Sequence, residues 1–386
     1  MNDVGGPLQG VKVLSMALML PGPYCSMLLA DLGADVIILE QPGVGDRARL
    51  LPDFFNAVNR NKKSVTVNLS SPQGQEIGHR LAAWADVATE GFRPGVAKQL
   101  RMDYDTLVEV NPRLIYASIS GYGQDGPYRN RPGHDLSYQG TAGVLGAQLT
   151  QGTTPTVPPL PVADLSSAMF ATIGITSALC NRERTGKGQY IDVSMTDGVV
   201  SWMSLLLVPT LQNPAGAMNL EGFGEPGYGV FETKDGKFIT LSIATEDHFW
   251  RNLCNAIGRE ELATLSFLER AGRCVEMVNI LKDTFLSKTR DEWYEVLGNA
   301  DVAWGIAYTP SEVVNDPQLR HRGMFAEIDD PQRGKFMQVS HPLKFSQTPA
   351  TLRFPPPELG QHTEEVLISL GYTKDEITQM RGGGVI

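Results

Sequence analysis

The chain reads as an α/β protein whose large domain carries a parallel sheet, followed by a smaller α+β domain. Three observations predict this. Short apolar runs alternate with helical stretches throughout the first 120 residues, the pattern of β–α–β units. Gly and Pro cluster between Gln212 and Gly229, which marks a linker. A length of 386 residues exceeds what one hydrophobic core usually supports. The expected division is 1–224, 225–330 and 331–386, with no internal repeat.

The elements follow in order. Val11–Leu14 is a short buried strand, Pro21-Gly22-Pro23 a turn, Tyr24–Leu32 a helix closed by Gly33, and Asp35–Glu40 the next strand. Ser64–Leu69 is a strand, and Pro72–Trp84 a helix with Pro72 in its first turn and Ser70 or Ser71 as its cap. Val87–Thr89 and Leu114–Ile119 are strands around a helix at Tyr104–Val110. A Gly/Pro/Arg-rich loop spans Gly121–Gly133, a helix begins at Asp135, and Thr150–Pro161 is irregular. Asp164–Leu179 is a helix, Gln189–Ser194 a strand and Met195–Leu207 a buried helix. Gly229–Glu232 and Phe238–Ile243 flank Lys234-Asp235-Gly236-Lys237, a hairpin signature. Helices are expected at Glu246–Ile257, Glu260–Phe267, Cys274–Phe285, Thr289–Leu297 and Glu364–Leu370.

Composition narrows the function. A net charge of -10 argues against nucleic-acid binding. Cys25, Cys180, Cys254 and Cys274 show neither CxxC nor metal-ligand spacing, so reduced thiols in a cytoplasmic protein and no metal are expected. The N-terminus lacks the pattern of a signal peptide. The longest apolar run, Val199–Val208, has ten residues, too few to span a bilayer as a helix. No GxGxxG fingerprint suggests a nicotinamide cofactor.

Several segments, in this order, resemble one known family: GVKVLSMALMLPGPYCSMLLADLGADVIILEQPGVGD (Gly10–Asp46), NRNKKSVTVNLSSPQG (Asn59–Gly74), EGFRPGV (Glu90–Val96), NPRLIYASISGYGQDGPY (Asn111–Tyr128), RPGHD (Arg131–Asp135), RTGKGQYIDVSMTDG (Arg184–Gly198) and LGQHTEEVL (Leu359–Leu367). The sequence is similar to the class III CoA-transferases, a family that includes carnitine and formate CoA-transferases and 2-methylacyl-CoA racemases. The resemblance implies a Rossmann-like large domain, a small domain, a C-terminal segment that returns to the large domain, and an interlocked homodimer. It also implies a coenzyme A thioester as substrate, with no tightly bound cofactor.

Read alone, Asp164 is a cap at the start of an apolar helix. By resemblance, PVADLSS carries the catalytic aspartate, either a nucleophile toward a thioester or an acid/base at the α-carbon. A helix N-terminus opposes a raised carboxyl pKa, so the second role needs burial. His134 lies in Gly133-His134-Asp135 with Tyr138 following, and 30 residues separate it from Asp164. This resembles the GHD-x-x-Y segment of the racemases, whose histidine is a catalytic base; imidazole exchanges protons near neutrality. Glu246, in ATEDHFW, resembles the glutamate that pairs with that histidine across the subunit interface, with Asp247 and His248 as its neighbours.

These three matches predict a 2-methylacyl-CoA racemase, with transfer of CoA between carboxylic acids through an aspartyl-CoA intermediate as the alternative. Glu40-Gln41-Pro42-Gly43, Asp46 and Arg49 look more like the transferase members. Lys62, Lys63, Arg93 and Lys98 are the expected contacts to CoA, by charge and hydrogen bonding. Gln41 stands where some racemases carry an arginine that contacts CoA, and Arg101-Met102 departs from the family's Leu-Gly.

Overall fold

Parallel strands that lie in the middle of a sheet are covered on both faces, so they read as continuous apolar runs. DVIILE, Asp35–Glu40, is such a run. In the computed structural model, which describes residues 5–150, 153–213, 224–331 and 333–386, six strands form one parallel sheet. They are β1 (Lys12–Met16), β2 (Asp35–Glu40), β3 (Lys62–Thr66), β4 (Val87–Glu90), β5 (Ile115–Ser120) and β6 (Gln189–Ser194), in the spatial order β3-β2-β1-β4-β5-β6. The order reverses between β1 and β4, the position where doubly wound sheets open a crevice at their strand ends.

Helices α1 (Pro21–Asp31), α2 (Pro52–Val58), α3 (Pro72–Trp84), α4 (Val96–Gln99), α5 (Tyr104–Val110), α6 (Asp135–Thr141), α7 (Val144–Thr150) and α8 (Val162–Thr185) connect the first five strands and lead to β6. The Pro-Gly-Pro stretch expected as a turn is the first turn of α1, because proline suits a position where the N–H has no helical partner. Alternation sorts the strand residues. Val13, Val36, Val87 and Ala117 face Ala168, Ala171, Ile175 and Ala178 of α8. Leu14, Ile37, Val65 and Ala88 face Ile77, Leu81 and Leu107. α8 is long and apolar enough to cross a membrane by length and composition, but its small residues pack against the sheet.

The expected buried helix Met195–Leu207 is two helices, α9 (Met195–Trp202), which buries Thr196, Gly198 and Val199, and α10 (Ser204–Gln212), which has no buried residue. Trp202 and Leu205 are 48% and 75% exposed. Apolar content alone did not reveal that this face lacks a cover among the described residues.

The chain divides into two compact units, Met1–Ala147, Pro155–Leu207 and Arg322–Ile386 in one, Gln148–Thr154 and Val208–His321 in the other. Much of the expected linker, 214–223, lies outside the described residues. The second unit holds β7 (Tyr228–Glu232), β8 (Phe238–Ser242) and β9 (Trp304–Ile306) as an antiparallel sheet. Helices α11 (Asp247–Ala256), α12 (Phe267–Gly272), α13 (Cys274–Phe285) and α14 (Arg290–Gly298) accompany it. Trp250, Met277, Phe285 and Trp293 form its core. The short helices α15 (Pro310–Val313) and α16 (Pro317–His321) close it. Back in the first unit, β10 (Phe325–Asp330) and β11 (Gly334–Val339) form an antiparallel pair that the sequence reading did not anticipate. α17 (Thr363–Ser369) and α18 (Lys374–Gly382) then place Val366, Leu367 and Ile377 on the sheet.

Candidate active site

Backbone at the C-terminal ends of parallel strands is where an α/β sheet presents its ligands. Here a cleft of about 210 Å³ opens at those ends. Its walls are Leu18, Met19 and Pro21 after β1, Gly91–Pro94 after β4, Ser120–Tyr122 at the end of β5, and Arg129–His134 in the loop before α6. Tyr138, Asp164 and Met195 complete it.

The loop before α6 is shaped by Tyr138. Its ring packs so closely that a Cβ on Gly121 or Gly133 would lie 2.4 Å or 2.7 Å from it. Its hydroxyl donates to Gly133 O at 2.6 Å. Tyr122 meets the Tyr138 ring edge-on at 5.1 Å. Arg131 lies over Tyr128 at 5.1 Å. Burial, with Tyr122 and Asp164 nearby, pushes the Tyr138 hydroxyl up to about 12.

His134 and Asp164 both line this cleft. His134 is exposed, precedes α6 and makes no side-chain cap bond. Asp164 is half-buried in the first turn of α8. It is not the cap; the helix begins at Val162 after Pro161. The cap function comes from Asp135, whose Oδ1 accepts from Ala163 N at 2.8 Å and Asp164 N at 3.2 Å. Burial first, and the Asp135 charge second, push the Asp164 carboxyl up to about 7. No protein group among the described residues donates to its oxygens. Glu90 makes a useful contrast. Burial lifts it to about 7 as well, yet its oxygens accept from Ser118 Oγ and from Phe92 N.

Glu246 lies in the second unit, at the start of α11, and is not among the residues lining this cleft. Its Oε2 accepts from Ala244 N at 2.9 Å, and that bond holds its carboxyl below the usual range. Of its neighbours, Asp247 is tied to buried Arg270 at 2.5 Å, while His248 is exposed with its ring 4.1 Å from that of Phe249.

The expected CoA contacts divide. Arg93 lines the cleft, and Lys98 lines the adjoining pocket that shares Arg129 with it. Lys62 and Lys63 begin β3 and are not among the residues lining the cleft. Lys62 is buried and its ammonium donates to Pro23 O, Val58 O and Asn59 Oδ1 at 2.7–2.9 Å; burial pulls its pKa down to about 7. Lys63 pairs with Glu365 at 2.9 Å. Lys62 therefore serves the fold: replacing it by Met should lower the thermal midpoint while changing KM for an acyl-CoA less than about twofold.

The sequence reading missed Arg129, Arg131 and Ser120. The arginines carry a readable signal, since they sit in a Gly/Pro loop directly after a parallel strand. Ser120 does not: its Oγ is buried without a partner among the described residues, which only the fold reveals. Among the described residues no cluster could hold a metal ion.

A doubly wound sheet whose strand ends open onto a cleft lined by Arg93, Arg129, Arg131 and the Asp164 carboxylate is an α/β architecture suited to an anionic ligand. The profile of CoA-transferase family III matches residues 8–363. The chain is 34% identical to the succinyl-CoA–L-malate CoA-transferase beta subunit of Chloroflexus aurantiacus, over 98% of either sequence. It is 32% identical to the formyl-CoA:oxalate CoA-transferase of Shigella sonnei, over 97% of this chain and 98% of that one. The structure of a CAIB/BAIF family protein from Brucella suis superposes with a TM-score of 0.85 at 31% identity, covering 95% of this chain and all of the other. The chain belongs to CoA-transferase family III, and it is an enzyme of acyl-CoA chemistry.

Proposed function

We propose that this enzyme moves CoA from an acyl-CoA to a second carboxylic acid, with Asp164 as the nucleophile. The observation that carries this is the Asp164 carboxylate, half-buried in the cleft with a pKa near 7 and no donor on its oxygens among the described residues. Such an oxygen keeps its basicity and is free to attack. An Asp164 oxygen adds to the thioester carbonyl, the C–S bond breaks, and its electron pair leaves with the CoA thiolate. The thiolate then attacks the aspartyl carbonyl of the anhydride, releasing the donor acid and leaving aspartyl-CoA. The acceptor carboxylate repeats the first step and the thiolate the second, which regenerates Asp164. Each step moves negative charge between the carboxylate and the thiolate, and Arg93, Arg129 and Arg131 supply the opposing field and the contacts to CoA phosphates. Lys98 would extend that field along the adjoining pocket.

Transfer replaces racemisation as the first reading because the relatives above are named for transfer to malate and to oxalate. Proton exchange at the α-carbon stays as the second reading, since His134 lines the same cleft as Asp164. The exposed apolar side chains Met169, Ile173, Trp202 and Leu205 support an interlocked homodimer, in which Glu246 of the small domain would serve a partner's site.

The deciding experiment incubates the protein with succinyl-CoA or formyl-CoA and traps with hydroxylamine. Mass spectrometry should find a hydroxamate at Asp164. Deuterium exchange into a 2-methylacyl-CoA with Asp164 unlabelled would favour the second reading and end the first. Arg131→Ala should raise KM for the acyl-CoA about tenfold, the loss of one charge-assisted contact, with a smaller change in kcat.

A further inference from the structure

The start of a helix exposes N–H groups that have no helical partner. In a capping box the side chain at the third helical position turns back to bond the N–H of the cap residue, as Glu269, Glu292 and Glu376 do in this fold. Asp164 holds that third position, after Val162 and Ala163, and the cap residue is Pro161. Proline has no N–H. The remaining donors at this terminus are all taken. Val162 N bonds Leu160 O, Leu165 N bonds Pro161 O, and Ala163 N and Asp164 N bond Asp135 Oδ1. Asp135 is itself held by buried Gln139, whose Nε2 donates to Oδ2 at 2.5 Å.

We propose that Asp135 and Pro161 are positioning residues that leave the Asp164 carboxylate without a local hydrogen-bond donor and hold it free in the cleft. The consequence for catalysis rests on the transfer reading above. A carboxylate beside a second carboxylate is relieved when it becomes an uncharged anhydride or thioester, so the arrangement favours the covalent states. Asp135 and Tyr138 act on Asp164 electrostatically, and the other charged and titratable groups lining the same cleft are His134, Tyr122, Arg93, Arg129 and Arg131. Of these, Asp135 raises the Asp164 carboxyl directly.

The test titrates the full-length protein by the aspartate 13Cγ resonance of Asp164, assigned by its loss in Asp164→Asn. Asp135→Asn keeps an oxygen for the helix N–H groups but removes the charge, and should lower the midpoint by about one pH unit or more. Pro161→Ala restores the missing donor with Asp135 intact, and should move the midpoint the same way. The second variant decides if the first does not fold. Midpoints within about 0.3 units of the parent in the folded variants overturn the proposal. The titration needs no turnover, so it separates failure of this proposal from failure to form an Asp164 adduct. In the transfer assay Asp135→Asn should lower kcat while leaving KM within about twofold.

Discussion

Asp164→Asn should lose CoA transfer by about 10⁴-fold or more in kcat, because a side-chain amide cannot serve as the nucleophile, and yet be the more stable protein at alkaline pH. The sign follows from the carboxyl. Its pKa is about 7 in the fold against an ordinary 3.8, so between those values the folded chain binds the proton more tightly than the unfolded chain does. This group's contribution therefore becomes less favourable as pH rises from about 4 to about 7, and stays unfavourable above that. The amide avoids the cost. With solvent screening allowed for, the gain at pH 8 is on the order of 2 kcal/mol, shrinking toward pH 4. Thermal midpoints at pH 8 and pH 5 measure it. An amide variant less stable than the parent at pH 8 would contradict the raised carboxyl, and one retaining transfer would end the role of Asp164.

Removing Arg60 should have the largest effect on stability. Asp31 in α1 is fully buried and accepts from Arg60 Nε at 3.0 Å and from its terminal nitrogen at 2.6 Å. Asn61 Nδ2 adds a third bond at 2.8 Å, and Arg60 also reaches Gln338 Oε1 at 3.2 Å. Arg60→Ala leaves the Asp31 carboxylate buried without its counter-charge, a loss of about 3–5 kcal/mol. The exposed pair Lys63–Glu365 supplies the control: Lys63→Ala should cost less than about 1 kcal/mol. Urea midpoints compare them, and equal shifts for the two variants would refute the argument. Because Gln338 and Thr351 bond Arg60 and Asn61, the same lesion should loosen the C-terminal segment, seen as faster amide exchange in β11.

The reading of α1, β2, α3 and β5 from sequence worked because those stretches are apolar at the period their structure needs. Lys62 shows where such reading ends. Its neighbour Lys63 has the same residue type in the same strand, yet one ammonium is buried among three acceptors and the other is at the surface. Register and packing made that difference. The same holds for α9 and α10, whose apolar residues suggested burial but which lie exposed at Trp202 and Leu205. β10 and β11 were missed because the pair straddles the expected boundary at 330, with one strand on either side of it.

By itself the sequence determined the α/β class, the family resemblance and the candidates Asp164 and His134, since local periodicity and ordered motifs survive without coordinates. Only the tertiary structure decided what kind of carboxylate Asp164 is. Read locally, it was a helix cap, and a cap would be hydrogen-bonded and acidic. Asp135 lies 29 residues earlier, and the fold brings it to the helix start, where it takes the N–H groups and leaves Asp164 unpaired and raised. Electrostatics and hydrogen bonding depend on distance in space, and neither burial nor that separation is written in the order of residues.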